Sequence, residues 1–428
     1  MVTTVTSFQW AGPHVVVSVS CGPSVEAAYT CIITVSSPLL CHEASLDKLK
    51  LDINDTMSTA VLAVIAVILC VLFRILNVNS QPCKPSVYCK DLNFLETILK
   101  IAPVLQEPYI PTRLWGFSGH VQTIVHSIVG RVKCPWPLGE RVYLNLKDGT
   151  TLTYDLYQPL DTSIARLAED DFTLAICPGI GNTSESVYIR TFVHYAQCHG
   201  YRCAVLNHVG ALSSVVVTAP RIFTYGHTGD YAEMITNIVE RHPNTKIVSI
   251  GFSLGGNLIT KYMGEPKVNR PKNIIGGISV CQGYSATERV HSFSSVSEMY
   301  TWSSCLSYLP GIKTPMVFIN ARDDPIVPEP LLEPIRNFSV NNDKALYLEL
   351  AHGGHLGFYE GGLMYPNPVT WLDRTLVALV GGLAHAHAND SKAPIPPPMP
   401  SYLPTAFCNA ISRVFVNGQQ SRTIQNQM

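Results

Sequence analysis

The stretch KIVSIGFSLGGNLITKYMG (residues 246–264) places a Gly-x-Ser-x-Gly motif between an apolar, strand-like run and a helix-like run. A sharp turn from strand to helix leaves no room for side chains at its flanks, which explains Gly251 and Gly255. The same turn pushes Ser253 out above the sheet, where the helix N-terminus favours developing negative charge. The motif therefore predicts that Ser253 is a nucleophile at a strand-to-helix elbow.

Apolar strands alternate with helices on both sides of this elbow. Such an order predicts a mostly parallel sheet that helices cover on both faces. Ahead of it, two runs of alternating polarity flank Asp148-Gly149, a pair that accepts a tight hairpin turn. An antiparallel hairpin that feeds such a sheet predicts an α/β-hydrolase fold over residues 105–385. The predicted hairpin strands are 141–146 and 151–157, the parallel strands are 172–177, 202–207, 246–251, 274–280, 316–320 and 345–350, and the helices are 92–101, 185–197, 229–240, 256–263, 331–338 and 369–383.

A serine hydroxyl is a weak nucleophile alone, and it needs a base that a third group orients. In this fold the partners follow the serine along the chain, first the acid and then the histidine. The predicted strand 316–320 is followed by Asp323 and Asp324, and either carboxylate suits this position. We prefer Asp324, because it begins an Asp-x-x-Val-Pro sequence that is common around this acid.

A glycine-rich loop follows the last predicted strand and contains two histidines. His355 lies in a Gly-His-x-Gly-Phe sequence and is preferred over His352 as the base. The glycines allow the loop to fold back over Ser253. The sequence thus predicts a triad of Ser253, Asp324 and His355, with His352 as the alternative base.

The negative charge that develops on a carbonyl oxygen needs two backbone N–H donors. One is expected at Leu254, directly after the nucleophile. The other is expected in the loop after the first parallel strand, where Ile180 N–H is the preferred donor. The triad and these donors supply the chemistry, so no metal and no organic cofactor is predicted. A Rossmann-like cofactor protein, the main alternative fold, is disfavoured because no Gly-x-Gly-x-x-Gly follows the first parallel strand.

An uncharged apolar run extends from residue 59 to residue 73 and continues past Arg74 to Leu76. It approaches the roughly 17–25 residues that cross a bilayer, if Arg74 extends its charge to the lipid headgroups. We therefore predict a transmembrane helix over 59–76, with a buried core helix or the apolar region of a signal peptide as the alternatives; no small-residue cleavage site follows the run, which argues against a removed signal peptide.

The remaining segments carry no recognisable chemistry. The leader 1–56 has no assigned role, and residues 77–104 are predicted to link the transmembrane helix to the hydrolase domain. The tail 386–428 is rich in proline and is predicted to be disordered. The 13 cysteines are scattered, and none shows zinc-ligand spacing.

Longer runs of the chain resemble the AB hydrolase 4 family, whose members have the α/β-hydrolase fold. The resemblance covers about residues 57–379 and implies a single-pass type II membrane protein with acylglycerol lipase and esterase activity. The expected location is the plasma membrane, with the endoplasmic reticulum as the alternative. By position, the family's triad falls on Ser253, Asp324 and His355. The segment 281–314 is shorter than the cap that the family carries there. The runs are YIPTRLWGFSGHVQT (109–123), AICPGIGNTSESVYIRTFVHYAQCHGYRCAVLNHVGAL (175–212), GFSLGGNLITKYMGE (251–265), SVCQGYSA (279–286) and HGGHLGFYEGG (352–362).

The residues and the resemblance together predict a membrane-anchored serine hydrolase that cleaves carboxylic esters of lipids, with monoacylglycerols as the expected substrates. A site open to water loses electrostatic stabilisation. Because the predicted cap is short, a second hypothesis stays open: the protein is a non-catalytic membrane protein that binds a lipid or a steroid. The expected partners are a lipid ester and the bilayer, and the sequence indicates no protein partner. A net charge of −1 without a lysine or arginine cluster argues against nucleic-acid binding.

Overall fold

The structure, a computed structural model, describes part of the chain. Most of the predicted tail (386–428) and the middle of the predicted cap (281–314) lie outside the described residues. The chain divides into two compact units, Met1–Val71 and Leu72–Met428, and each is considered by itself. The backbone is described for residues 6–12, 15–23, 29–36, 46–77, 79–130, 136–160, 171–266, 268–283 and 302–388, and the side chains are described for those from residue 61 onward.

Three strands form an antiparallel sheet in the first unit: β1 (Thr6–Gly12), β2 (Val15–Pro23) and β3 (Tyr29–Ser36). The register pairs Trp10 of β1 with Val17 of β2. The sequence of the leader predicts no strands, because its polar and apolar residues follow no clear period. The β-branched residues of β2 explain the pairing, since such side chains suit a pleated surface.

Helix α1 (Leu46–Leu76) contains the stretch 59–76 but begins earlier than predicted. Apolar residues Leu46, Leu49 and Ile53 recur at helical spacing, and they extend the helix towards its N-terminus. Within the part of the chain that the structure describes, no helix is both long enough and apolar enough to cross a membrane.

The described part of the second unit contains a nine-stranded sheet. Its strands are β4 (Ser86–Tyr88), β5 (Glu140–Asn145), β6 (Thr151–Tyr157), β7 (Phe172–Cys177), β8 (Arg202–Asn207), β9 (Lys246–Phe252), β10 (Ile274–Val280), β11 (Met316–Ala321) and β12 (Ala345–Leu350). The order across the sheet is β4-β12-β11-β10-β9-β7-β8-β6-β5. Strands β7 to β12 run parallel to one another, and β4, β5 and β6 pair antiparallel at the two edges. This arrangement confirms the predicted α/β fold with its leading hairpin.

Helices cover both faces of this sheet. Successive residues of β7 point to opposite faces, so Ile176 belongs to one apolar core and Ala175 to the other. The first core contains α2, α4 and α8, and the second contains α5, α6 and α7. The helices are α2 (Leu92–Ile101), α3 (Gly119–Ile124), α4 (Val187–Cys198), α5 (Gly229–Arg241), α6 (Leu254–Gly264), α7 (Glu333–Asn341) and α8 (Trp371–Ala388).

Helix α2 confirms the predicted helix 92–101, and the fully buried side chain of Ile98 packs it into the core. Strand β4, which lies with α2 in the segment 77–104 that was predicted as a linker, was not predicted. The predicted helix 331–338 is a short 3-10 turn (Glu329–Leu332) followed by α7. Pro334 explains the break, because proline suits the first turn of a helix and disrupts its interior.

Candidate active site

The predicted site residues lie in loops that follow parallel strands. Ile180 follows β7, Ser253 follows β9, Asp324 follows β11, and His355 follows β12. These strands lie within five consecutive positions of the sheet. Because the carboxyl ends of parallel strands meet at one edge of a sheet, the four loops converge there.

Ser253 occupies a strained turn between β9 and α6. Its φ of 53° and ψ of −115° lie in a region that residues with a side chain rarely adopt, at a cost of about 1–3 kcal/mol. Its backbone N–H donates to the Val280 carbonyl oxygen over 2.8 Å. A Cβ atom at Gly251 would overlap the carbonyl oxygen of Gly255, and one at Gly255 would overlap that of Cys177. The turn therefore requires glycine at both flanking positions.

His355 connects Ser253 with Asp324 through two hydrogen bonds. Its Nε2 lies 2.8 Å from Ser253 Oγ, and its Nδ1 lies 2.8 Å from Asp324 Oδ2. When Nδ1–H donates to the carboxylate, Nε2 is left as the acceptor that faces the serine hydroxyl. Asp324 Oδ1 also accepts backbone N–H bonds from Ile326 (2.8 Å) and Val327 (3.0 Å), which fix the carboxylate in place. The acid and the base are buried, whereas the serine is partly exposed, so the arrangement suits proton removal from the hydroxyl.

The two alternative residues, Asp323 and His352, lie next to each other beside this chain of hydrogen bonds. His352 Nδ1 is 3.4 Å from Asp323 Oδ2. Asp323 Oδ1 accepts a 2.9 Å hydrogen bond from the Gly354 N–H, in the loop that carries His355. Among the described hydrogen bonds, neither alternative side chain reaches Ser253. The structure thus joins Asp324 and His355 to the serine, and Asp323 supports the histidine loop.

Helix α3 braces the histidine loop, a role that the sequence reasoning did not assign. Thr123 Oγ1 accepts the His355 N–H over 2.8 Å and donates to the Gly119 carbonyl over 2.7 Å. Gln122 Oε1 accepts the Tyr359 N–H over 2.9 Å. The signal that pointed to this helix was the run 109–123, which resembles the family without carrying a recognised motif.

The loop after β7 is fixed around the predicted oxyanion donor. The Gly179 N–H donates to the Tyr188 hydroxyl (3.0 Å), and the Asn182 side chain donates to the Ile180 carbonyl (2.9 Å). The Gly179 N–H therefore already has an acceptor within the protein. Across the described hydrogen bonds, the N–H groups of Ile180 and Leu254 donate to no acceptor, so both predicted donors are left for a ligand.

Helix α6 also holds the end of the predicted cap. Asn257 Nδ2 donates to the Ser303 carbonyl (2.8 Å), and the buried Lys261 Nζ donates to the Trp302 carbonyl (2.6 Å). The Lys261 ammonium also lies 4.2 Å from the Trp302 ring centroid, and burial lowers the pKa of this lysine. The chain that leaves the cap is thereby fixed to the helix that follows the nucleophile.

Cys281 completes a buried cluster with the acid and the base. Its Sγ and one ligand atom each of Asp324 and His355 lie within 4.8 Å of one another, a spacing that a metal ion can use. Burial raises the pKa of the Cys281 thiol well above its usual value. Hydrogen bonds already join Asp324 to His355 and His355 to Ser253, so the contacts within this cluster match the arrangement of a serine triad.

Solved structures that resemble this chain are hydrolases at low sequence identity. An esterase from Pyrococcus furiosus is 17% identical with a TM-score of 0.39, and the match covers 53% of this chain and 90% of that chain. A puromycin hydrolase is 17% identical with a TM-score of 0.45, and the match covers 61% of this chain and 41% of that chain.

Relatives found by sequence are much more similar to this chain than these solved structures are. A family model described as the alpha/beta hydrolase fold matches residues 173–300. "Monoacylglycerol lipase ABHD2" of Homo sapiens is 36% identical over 396 residues, which cover 77% of this chain and 92% of that protein. "Abhydrolase domain-containing protein 2" of Drosophila melanogaster is 55% identical over 403 residues, which cover 79% of this chain and 100% of that protein. Identity of this degree over the full length of a relative shows that the chain belongs to the Abhydrolase domain-containing protein 2 family of α/β hydrolases.

Proposed function

We propose that this protein is a carboxylic ester hydrolase that cleaves lipid esters through an acyl-enzyme on Ser253, with monoacylglycerols as its substrates. The observation that carries the proposal is the hydrogen-bonded chain from Ser253 through His355 to Asp324. Relatives at 36% identity are named monoacylglycerol lipases, which supports the substrate class.

The reaction follows from the roles that these groups suit. Ser253 Oγ attacks the ester carbonyl while His355 Nε2 takes its proton, and Asp324 stabilises the imidazolium that forms. The N–H groups of Leu254 and Ile180 stabilise the oxyanion. His355 then gives the proton to the departing alcohol. In the second half it takes a proton from water, which attacks the acyl-enzyme and releases the fatty acid with Ser253 restored.

Two loops of the site carry exposed apolar side chains, which we propose contact an acyl chain. Ile180 is 54% exposed and belongs to the loop that carries an oxyanion donor. Ile326 is 59% exposed, and its N–H holds the Asp324 carboxylate. Apolar side chains around a few placed polar groups are typical of sites for lipid-like ligands.

The proposal also includes attachment to a membrane through residues 59–76. The described side chains of this stretch expose large apolar surface, with Leu62 at 61% and Leu69 at 59%. A bilayer would remove that surface from water, and it would hold the site near lipid esters that are concentrated in two dimensions. We propose a single-pass type II protein of the plasma membrane. Flotation of the full-length chain with vesicles tests the attachment to lipid.

A fluorophosphonate probe tests the nucleophile. Wild-type protein and Ser213→Ala, a change at an exposed serine, should both be labelled, whereas Ser253→Ala should not. The full-length wild type should release fatty acid from monoacylglycerol in vesicles, and Ser253→Ala should release none. Labelling that survives Ser253→Ala would contradict the assignment. Binding of monoacylglycerol without release, by folded wild-type protein, would favour the non-catalytic lipid-binding hypothesis instead.

A further inference from the structure

We propose that an exposed apolar surface of the second unit inserts into the headgroup region of the bilayer and lays the hydrolase domain on the membrane. This surface, called the loop patch below, consists of residues 110–115 and 362–365. The inference rests on the proposed attachment through residues 59–76, and it adds a second, separate contact with lipid.

Backbone and side-chain hydrogen bonds hold the two segments of the loop patch side by side. The Leu114 N–H donates to the Leu363 carbonyl over 2.9 Å. Trp115 Nε1 donates to the Met364 carbonyl over 2.8 Å. The exposed side chains of both segments therefore form one surface.

The turn in the second segment is fixed by its backbone. Gly361 and Gly362 have φ values of 71° and 66°, in the left-handed region that glycine tolerates. A Cβ atom at Gly362 would overlap the carbonyl oxygen of Tyr365. The turn thus presents the residues after it in a preset orientation.

Those residues are apolar and lie in solvent. Leu363 is 68% exposed, Met364 is 52% exposed and Tyr365 is 76% exposed. Ile110 and Leu114 add 46% and 41% exposure from the neighbouring segment. Contiguous apolar surface of this kind is uncommon on soluble proteins and marks a surface that another phase or partner covers.

The chemistry of the loop patch suits a lipid interface. Tyr365 combines an apolar ring with a polar hydroxyl, the combination that is enriched at the headgroup level. Arg113 is exposed and forms no ion pair among the described residues, so its guanidinium is available to lipid phosphates. Apolar, aromatic and cationic side chains together match the headgroup region of a bilayer, where acyl chains, the lipid–water interface and phosphates lie within a few ångströms of one another.

Two contacts connect the loop patch with its surroundings in the second unit. Asn77 donates through Nδ2 to the Phe117 carbonyl over 3.1 Å. Phe117 is two residues beyond Trp115, and its ring lies against that of His352 with centroids 5.3 Å apart. A bilayer contact at the loop patch therefore lies a short segment away from the active-site loop.

Spin labels test the depth of the loop patch in full-length protein. Met364→Cys and Val340→Cys, the second at an exposed position of α7, are labelled with a nitroxide and placed in phosphatidylcholine–phosphatidylserine vesicles. The signal of labelled wild type, which has its own cysteines, is subtracted. The label at 364 should collide more with oxygen and less with a water-soluble nickel complex than the label at 340. Equal access of nickel to both labels overturns the proposal, and shielding of 364 from both reagents overturns it by marking a protein interface.

Flotation of the same samples separates this inference from the attachment on which it rests. Protein that fails to float overturns the attachment through residues 59–76, and the loop patch loses its basis. Protein that floats with label 364 in water overturns the loop patch alone.

Hydrolysis gives a second readout. Leu363→Asp should lower the rate on vesicle monoacylglycerol about tenfold, by removing part of the burial free energy of one leucine, and should leave the rate on a soluble p-nitrophenyl ester unchanged. Val340→Asp should change neither rate. A full vesicle rate in Leu363→Asp overturns the proposal, and so does an equal loss on both esters, which would mean that the substitution acts on the site itself.

Discussion

Two adjacent aspartates at the end of β11 differ in their neighbours. Asp324 is buried and shares its carboxylate between His355 and two backbone N–H groups. Asp323 accepts one N–H bond from Gly354 and lies beside His352. The sequence narrowed the acid to these two residues but did not separate them on physical grounds, because adjacent residues share the same local pattern.

Substitutions at the two aspartates should therefore differ in effect. Asp324→Asn should lower kcat on a soluble ester by about 10⁴-fold, because an amide favours the wrong tautomer of the histidine. Asp323→Asn keeps an Oδ1 that accepts the Gly354 N–H, so its loss should stay below about tenfold. Circular dichroism of each variant controls for folding. A large loss with Asp323→Asn and a small loss with Asp324→Asn would assign the acid to Asp323.

At the scale of elements, the local sequence pattern predicted the strands and helices well. It did not predict the long-range hydrogen bonds that hold the site loops in place. Strand β9 and helix α6 lie where the Gly-x-Ser-x-Gly motif placed them, with ends shifted by one or two residues. The bond from His355 N–H to Thr123 joins residues 232 positions apart, and no local pattern carries such information. The same holds for the Tyr188 hydroxyl that occupies the Gly179 N–H, since its direction depends on how α4 packs.

Helix α6 approaches the end of β7 closely, so replacing Gly255 by alanine should destabilise the protein, whereas the same change at Gly381 should not. Gly255→Ala would press a Cβ atom against a backbone carbonyl that cannot move aside, and should lower the free energy of unfolding by about 3 kcal/mol and abolish activity. Gly381→Ala in α8 would place a Cβ atom 3.3 Å from Ile101 Cγ2, a contact that a shift of a few tenths of an ångström relieves. There the better helix propensity of alanine should leave stability equal or raise it by up to about 1 kcal/mol. Thermal unfolding of both variants checks this, and a stable, active Gly255→Ala protein would refute the packing argument.

The described part of the second unit is organised around one sheet, and the candidate site lies at one edge of it. The sequence predicted this arrangement because buried parallel strands are continuous apolar runs, but it missed the short edge strand β4, which has no distinctive pattern. The three strands of the leader were not predicted for a related reason: pairing there depends on neighbouring strands rather than on a period within each strand.

Buried histidines should make the stability of the folded protein depend on pH. Burial lowers the pKa of His194, His199 and His208 below the usual 6.5. Below pH 6.5 the unfolded chain takes up protons that the folded chain does not, so stability should fall as the pH drops from about 6.5 towards the lower folded-state pKa values. The thermal midpoint of the full-length protein should therefore be lower at about pH 5.5 than at about pH 7.5.

Two substitutions check the source of this pH dependence. His208 Nε2 lies 3.0 Å from the Pro178 carbonyl, and glutamine at this position can donate the same hydrogen bond without taking up a proton. His208→Gln should therefore reduce the difference between the two midpoints. His120→Gln, at an exposed histidine, should leave the difference unchanged. A midpoint that is equal or higher at the acidic pH would show that other groups dominate.

Backbone strain and the proposed chemistry favour different residues at position 253. Glycine adopts the backbone conformation of Ser253 without a steric penalty, so Ser253→Gly would relieve about 1 kcal/mol or more of strain while removing the proposed nucleophile. In a lineage that needed this chain only as a folded scaffold, mutational drift would favour glycine at that position. A serine is expected to persist there only as long as its hydroxyl benefits the organism. The residue encoded at this one position therefore indicates whether the hydrolase chemistry is still in use.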